Sequence, residues 1–95
     1  MKKVICIDFD GTISKVHGFT EPNPGAIEFI NKYIDEFDLV VFTVDGDNHF
    51  RQRDINEWLK KHGVKREMYV TGTKIPAALY IDDRAFRFEG EWPEL

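Results

Sequence analysis

The chain has 95 residues, enough for one compact domain with a single core and no room for a second globular unit. Apolar residues make up 42% and aromatic ones 14%, so a packed fold is expected and global disorder is not. Lys and Arg number 13 against 17 Asp and Glu, a net charge of -4 that argues against a broad electrostatic footprint for nucleic acid or acidic membrane.

Val4-Ile5-Cys6-Ile7 is a continuous apolar run, the pattern of a strand buried on both faces of a parallel sheet. It is too short for a signal-peptide core, and no stretch approaches the ~20 apolar residues of a membrane span. Cys6, the lone cysteine, excludes an intrachain disulfide and a cysteine-rich zinc site; it reads as a small buried hydrophobe in a reducing, cytoplasmic setting. A loop follows from Gly11 to Glu21. Asn23-Pro24 supplies a cap and a first-turn proline, and Ile27, Ile30, Ile34 and Phe37 recur at helical spacing, which predicts a helix from about Pro24 to Glu36. Leu39-Val40-Val41-Phe42 repeats the buried-strand pattern. Asn48 caps a second helix with Ile55, Trp58 and Leu59 on one face and Gly63 past its end. Met68–Val70 and Ala78–Ile81 read as short third and fourth strands. The remainder, from Arg84 on, is an irregular tail whose Phe86, Phe88 and Trp92 are expected to fold back on the body.

Alternating strands and helices predict a three-layer α/β/α, Rossmann-like fold around a parallel sheet ordered four-one-two-three, one domain over residues 1–95 with no cap domain. In such folds sites collect beyond the carboxyl ends of the strands. The polar clusters sit there: Asp8 and Asp10 after the first strand, Thr43 after the second, Thr71 and Thr73 after the third, Asp82-Asp83 after the fourth. Asp8-Phe9-Asp10-Gly11-Thr12 needs a sharp bend for both carboxylates to reach one place, and Gly11 permits it. Up to four carboxylates brought together cannot all stay ionised without a cation, and all-oxygen ligation favours magnesium.

These motifs, in this order, resemble those of the haloacid dehalogenase-like superfamily of phosphatases and phosphotransferases. The resemblance covers roughly Val4 to Arg84 and rests on Asp8-x-Asp10-Gly11-Thr12, Thr43, Lys74 and Asp82-Asp83. It implies that Asp8 attacks phosphorus to form an aspartyl-phosphate, and that Asp10 protonates the leaving oxygen and later activates water. It also implies that magnesium touches the Asp8 carboxylate, the Asp10 backbone carbonyl and Asp82, with Asp83 behind them or in exchanged roles. Thr43 and Lys74, with Asp10 and Gly11, would bind the phosphoryl group. The implied protein is a magnesium-dependent phosphatase acting on a phosphorylated small molecule or macromolecule. The Ile81-Asp82-Asp83-Arg84 stretch is similar to deoxynucleotidase-like relatives, which brings a nucleotide or sugar phosphate into view as substrate. An oligomeric neighbour is one way to cover a capless site.

Other readings compete. Asp-x-Asp at a strand end is ordinary turn chemistry on its own, a loop lysine is usually a solvated charge, and a threonine often ends a strand. The acidic stretch Val44-Asp45-Gly46-Asp47 beside Thr43 is unwelcoming to an anion. His17, His49 and His62 are read as surface or helix-end residues; Arg51, Arg53, Arg84 and Arg87 as solvated or ion-paired; Trp58, Trp92 and the phenylalanines as core. The functional rivals are a non-catalytic phosphate- or metal-binding module on the same fold, a phosphotransferase to an acceptor other than water, and a receiver-type signalling domain. The last fits poorly, because the third strand ends in Val70-Thr71-Gly72 with no aspartate.

Overall fold

The computed structural model describes residues 1–16 and 18–95; His17 lies outside them. Its strands are β1 (Val4–Asp8), β2 (Asp38–Phe42), β3 (Tyr69–Thr71) and β4 (Leu79–Ile81), and its helices α1 (Ala26–Tyr33) and α2 (His49–Lys61). The four strands form one all-parallel sheet in the order β3-β2-β1-β4, the expected order read from the other edge. Parallel pairing needs crossovers, and α1 and α2 supply two of them.

Register sorts the strand residues onto two faces. Ile5, Ile7, Leu39, Val41 and Val70 pack with Ile30 and Ile34 of α1 and Ile55, Trp58 and Leu59 of α2 into one core. Both helices therefore lie on the same face. The opposite face carries the row Tyr69–Val40–Cys6–Tyr80. Cys6 and Val40 there are buried, while Tyr69 and Tyr80 at the sheet margins are exposed. Among the described residues no helix covers this second face, so the third layer expected from the sequence is not a helical one. The physical reason is local: the β3–β4 connection, residues 72–78, is irregular, with Pro76 in it. No helix among the described residues is long and apolar enough to cross a membrane.

Helix α2 starts where the sequence places it, Asn48 Oδ1 accepting from the backbone N–H groups of Phe50 (2.9 Å) and Arg51 (3.3 Å). Helix α1 begins two residues later than expected, because Gly25 takes a left-handed φ of 85° and Asn23 spends its side chain elsewhere. Asn23 Nδ2 instead donates toward the carbonyls of Thr12 (2.8 Å), Ser14 (3.3 Å) and Gly11 (3.4 Å), bolting α1 to the loop after β1. The tail does not fold back. Phe86, Phe88 and Trp92 are exposed, the last at 82%, and Phe88 and Trp92 pack on each other with ring centroids 4.7 Å apart. Phe19, Phe29 and Phe50 also lie outside the core, whereas Phe9 and Trp58 are buried in it. Phe86, Phe88 and Trp92 alternate with Arg87, Glu89 and Glu91, a spacing that would share one face of an extended segment, but the tail forms no strand against the sheet.

Candidate functional site

The carboxyl ends of β1 and β4 are adjacent, with Ile7 opposite Ile81, so the next residues, Asp8 and Asp82, face one another across the ladder. Carboxylate oxygens of Asp8, Asp82 and Asp83 all lie within 4.8 Å of one another. Burial and then the charges of Asp82, Asp83 and Asp10 push the Asp8 carboxyl up to about 6, although the Phe9 N–H partly offsets this. Negative charge is thus concentrated on the strand ends without a neutralising side chain among the causes acting on Asp8.

After Asp8 the chain makes a wide turn, Phe9–Ile13, closed by the Ser14 N–H donating to the Phe9 carbonyl at 3.0 Å. Gly11 is required there twice over. Its φ is +82°, and a Cβ at that position would stand 2.6 Å from Asp83 Oδ2. The missing side chain lets the last acidic motif lie directly over the first. Thr12 Oγ1 is buried with no hydrogen-bond partner among the described residues.

Asp10 is not part of the acidic trio. Its Oδ1 accepts the Gly18 N–H at 2.9 Å and its Oδ2 lies 3.2 Å from Thr43 Oγ1. Thr43 Oγ1 is also 3.3 Å from Asp45 Oδ1, and a hydroxyl has one proton, so it serves one of these carboxylates at a time. The described residues of the loop, 15–16 and 18–21, belong to a short flap whose ends are tied by the Lys15 N–H donating to the Glu21 carbonyl at 2.8 Å and by a bridge between Ser14 and Pro22. The flap rests on α2: Phe19 contacts Phe9 and Trp58, and Trp58 Nε1 donates to the Thr20 carbonyl at 3.1 Å.

The acidic loop after β2 is occupied structurally. Asp45 receives Arg51 Nε at 3.1 Å. Asp47 accepts from the Gly72 N–H at 3.0 Å and from Thr73 Oγ1 at 3.3 Å, joining the loops after β2 and β3. Gly46 makes that junction possible, since a Cβ there would meet the Thr71 carbonyl oxygen at 2.3 Å. These contacts weaken the objection that Asp45 and Asp47 repel an anion.

Lys74 is placed differently from the other motif residues. Its ammonium lies 4.8 Å over the Tyr80 ring, and it acts on Cys6, whose thiol is pushed up by burial first and Asp8 second and pulled down by Lys74. Arg84 is exposed, its N–H donating to Asp82 Oδ1 at 2.7 Å and its guanidinium 3.8 Å from Asp83. The site residues missed by sequence reasoning are Asn23 and Arg51. Arg51 had a legible cue: it stands four residues before Ile55 and seven before Trp58, on the buried stripe of α2, where a charge needs partners.

A groove of about 890 Å³ runs between α2 and β3, but none of Asp8, Asp10, Asp82 or Asp83 lines it. The convergent carboxylates lie outside this groove and form the candidate site. Comparison with family models, curated proteins and solved structures finds no match for this chain.

Proposed function

We propose that the protein is a phosphatase that hydrolyses phosphate monoesters through an aspartyl-phosphate on Asp8, with magnesium as its cofactor. The observation that carries this reading is the convergence of Asp8, Asp82 and Asp83 within 4.8 Å at adjacent parallel strand ends, with Asp10 held two residues on. The donor set suits a hard cation: three carboxylates, one with its proton affinity raised by burial and then by its acidic neighbours. Asp8, Asp82 and Asp83 would hold magnesium, with the Asp10 carbonyl as a further ligand. Once bound, the ion would neutralise the carboxylates and the charge on the transferring phosphoryl group.

An Asp8 oxygen attacks phosphorus, the Asp8–phosphorus bond forms, and the bond to the leaving oxygen breaks. Asp10 delivers its proton to that oxygen. Asp10 then takes a proton from water as the water attacks phosphorus, which releases inorganic phosphate and restores the Asp8 carboxylate. Thr43 exchanges its carboxylate partner for a phosphoryl oxygen, and the N–H groups of the Phe9–Ile13 turn contribute positioning. Lys74 reaches the phosphoryl group by leaving the Tyr80 ring, a change open to a flexible, exposed side chain. The test is a panel of alkyl, sugar and nucleoside phosphate esters with and without magnesium. Turnover that needs the metal and disappears in Asp8→Asn supports the reading; no turnover of any ester favours the non-catalytic binding module.

A further inference from the structure

Arg51 links the segments that surround Asp10 and Thr43. Its side chain is only 17% exposed. The guanidinium holds Asp45 through Nε at 3.1 Å and reaches Asp10 Oδ1 with a terminal nitrogen at 3.7 Å. It also lies 4.7 Å over the Phe19 ring and 5.6 Å over the Phe9 ring. One planar group thus touches α2's own neighbourhood, the loop after β2, the flap and the turn after β1.

Thr43 explains why such a clamp is needed. Its single hydroxyl proton is shared between Asp10 and Asp45 at 3.2 and 3.3 Å, and a bound phosphoryl oxygen would claim that proton. When Thr43 turns to substrate, the carboxylate it was serving loses that proton, while Arg51 stays paired to Asp10 and Asp45 and the Gly18 N–H stays on Asp10. From this geometry we infer that Arg51 is the positioning residue for Asp10, holding its carboxylate in place for proton transfer while Thr43 binds substrate. The inference rests on the phosphatase reading and adds to it a residue that does not itself touch the reacting atoms.

A double-mutant cycle on the full chain tests it, using Arg51→Met, Arg51→Lys, Asp10→Asn and the double variant Arg51→Met/Asp10→Asn. Single-turnover rapid quench with magnesium measures the first step on an alkyl phosphate and on p-nitrophenyl phosphate, and circular dichroism confirms that each variant is folded. Misplacing a proton donor costs on the order of 10- to 100-fold. Arg51→Met should lose about that on the alkyl ester and less than about threefold on the aryl ester, whose leaving group needs little protonation. KM should stay within about twofold. Arg51→Lys, a point charge without the planar fork, should recover part of the alkyl rate and keeps the test available if the methionine variant does not fold. In the Asp10→Asn background, Arg51→Met should cost almost nothing more.

Equal losses on both esters, a rise confined to KM, or additive losses in the double variant would overturn the role of Arg51 while leaving the phosphatase reading intact. Absence of any first-step chemistry in the wild type would overturn both.

Discussion

Asp8 in the metal-free protein is a carboxyl whose fold opposes its ionisation, and replacing it with asparagine should therefore stabilise the chain at neutral pH. Its pKa stands at about 6 against an ordinary 3.8. A carboxyl with a raised native pKa binds its proton more tightly in the folded state, so stability is highest below about pH 4 and falls as pH rises through 6. At about 1.4 kcal/mol per tenfold, the full gap corresponds to ~3 kcal/mol. Asp8 is only part-buried, and solvent screening reduces this to about 1–2 kcal/mol. Asp8→Asn removes the charge and keeps the shape. In chelator-treated protein its melting temperature should match the wild type at pH 4 and exceed it by several degrees at pH 7, since 1 kcal/mol moves a domain of this size by about 4–8 °C. The assay is thermal unfolding of both proteins from pH 4 to 8 in EDTA. A constant difference across that range, or a less stable variant at pH 7, would refute the charge-crowding argument.

Magnesium should reverse that order, raising the wild-type melting temperature through binding to the folded state while leaving Asp8→Asn and Asp82→Ala nearly unmoved; calorimetric melts with and without the ion check this. Gly11→Ala should cost about 1–2 kcal/mol because of its left-handed backbone, and it should weaken magnesium binding by displacing Asp83, measured by denaturant unfolding and metal titration. Asn23→Ala should cost about 1–3 kcal/mol by orphaning carbonyls of the loop after β1, again read in denaturant. Thr12→Val should be neutral or stabilising by up to about 1 kcal/mol, since it removes a buried hydroxyl that has no partner; a large loss would mean the hydroxyl is bonded.

Strand order and the meeting of Asp8, Asp82 and Asp83 were legible because both follow from patterns along the chain. Continuous apolar runs mark buried parallel strands, and adjacent strand ends bring their next residues together. The Asn48 cap was legible for the same local reason. What the sequence left hidden depends on partner choice between distant segments. Asn23 offered a helix cap, but its Nδ2 donates to carbonyls of the loop after β1, and Gly25 stands at the helix start instead. Arg51 pairs with Asp10, 41 positions away in the chain, through the pitch of α2 and not through any motif. Lys74 follows an irregular connection whose path no periodicity predicts, and its ammonium ends over Tyr80. The tail's aromatics suggested burial by composition, yet the tail forms no strand against the sheet and they stay exposed.

The most direct measurement of the central claim is whether Asp8 carries the phosphoryl group. Protein mixed with p-nitrophenyl phosphate and magnesium, quenched in acid within milliseconds and mapped by mass spectrometry, should show one acid-stable, base-labile phosphoryl adduct on Asp8. The same adduct should be absent in Asp8→Asn and should accumulate in Asp10→Asn, which keeps the nucleophile but lacks the base for the second step. An adduct on another residue, or sustained turnover by Asp8→Asn, would contradict the account.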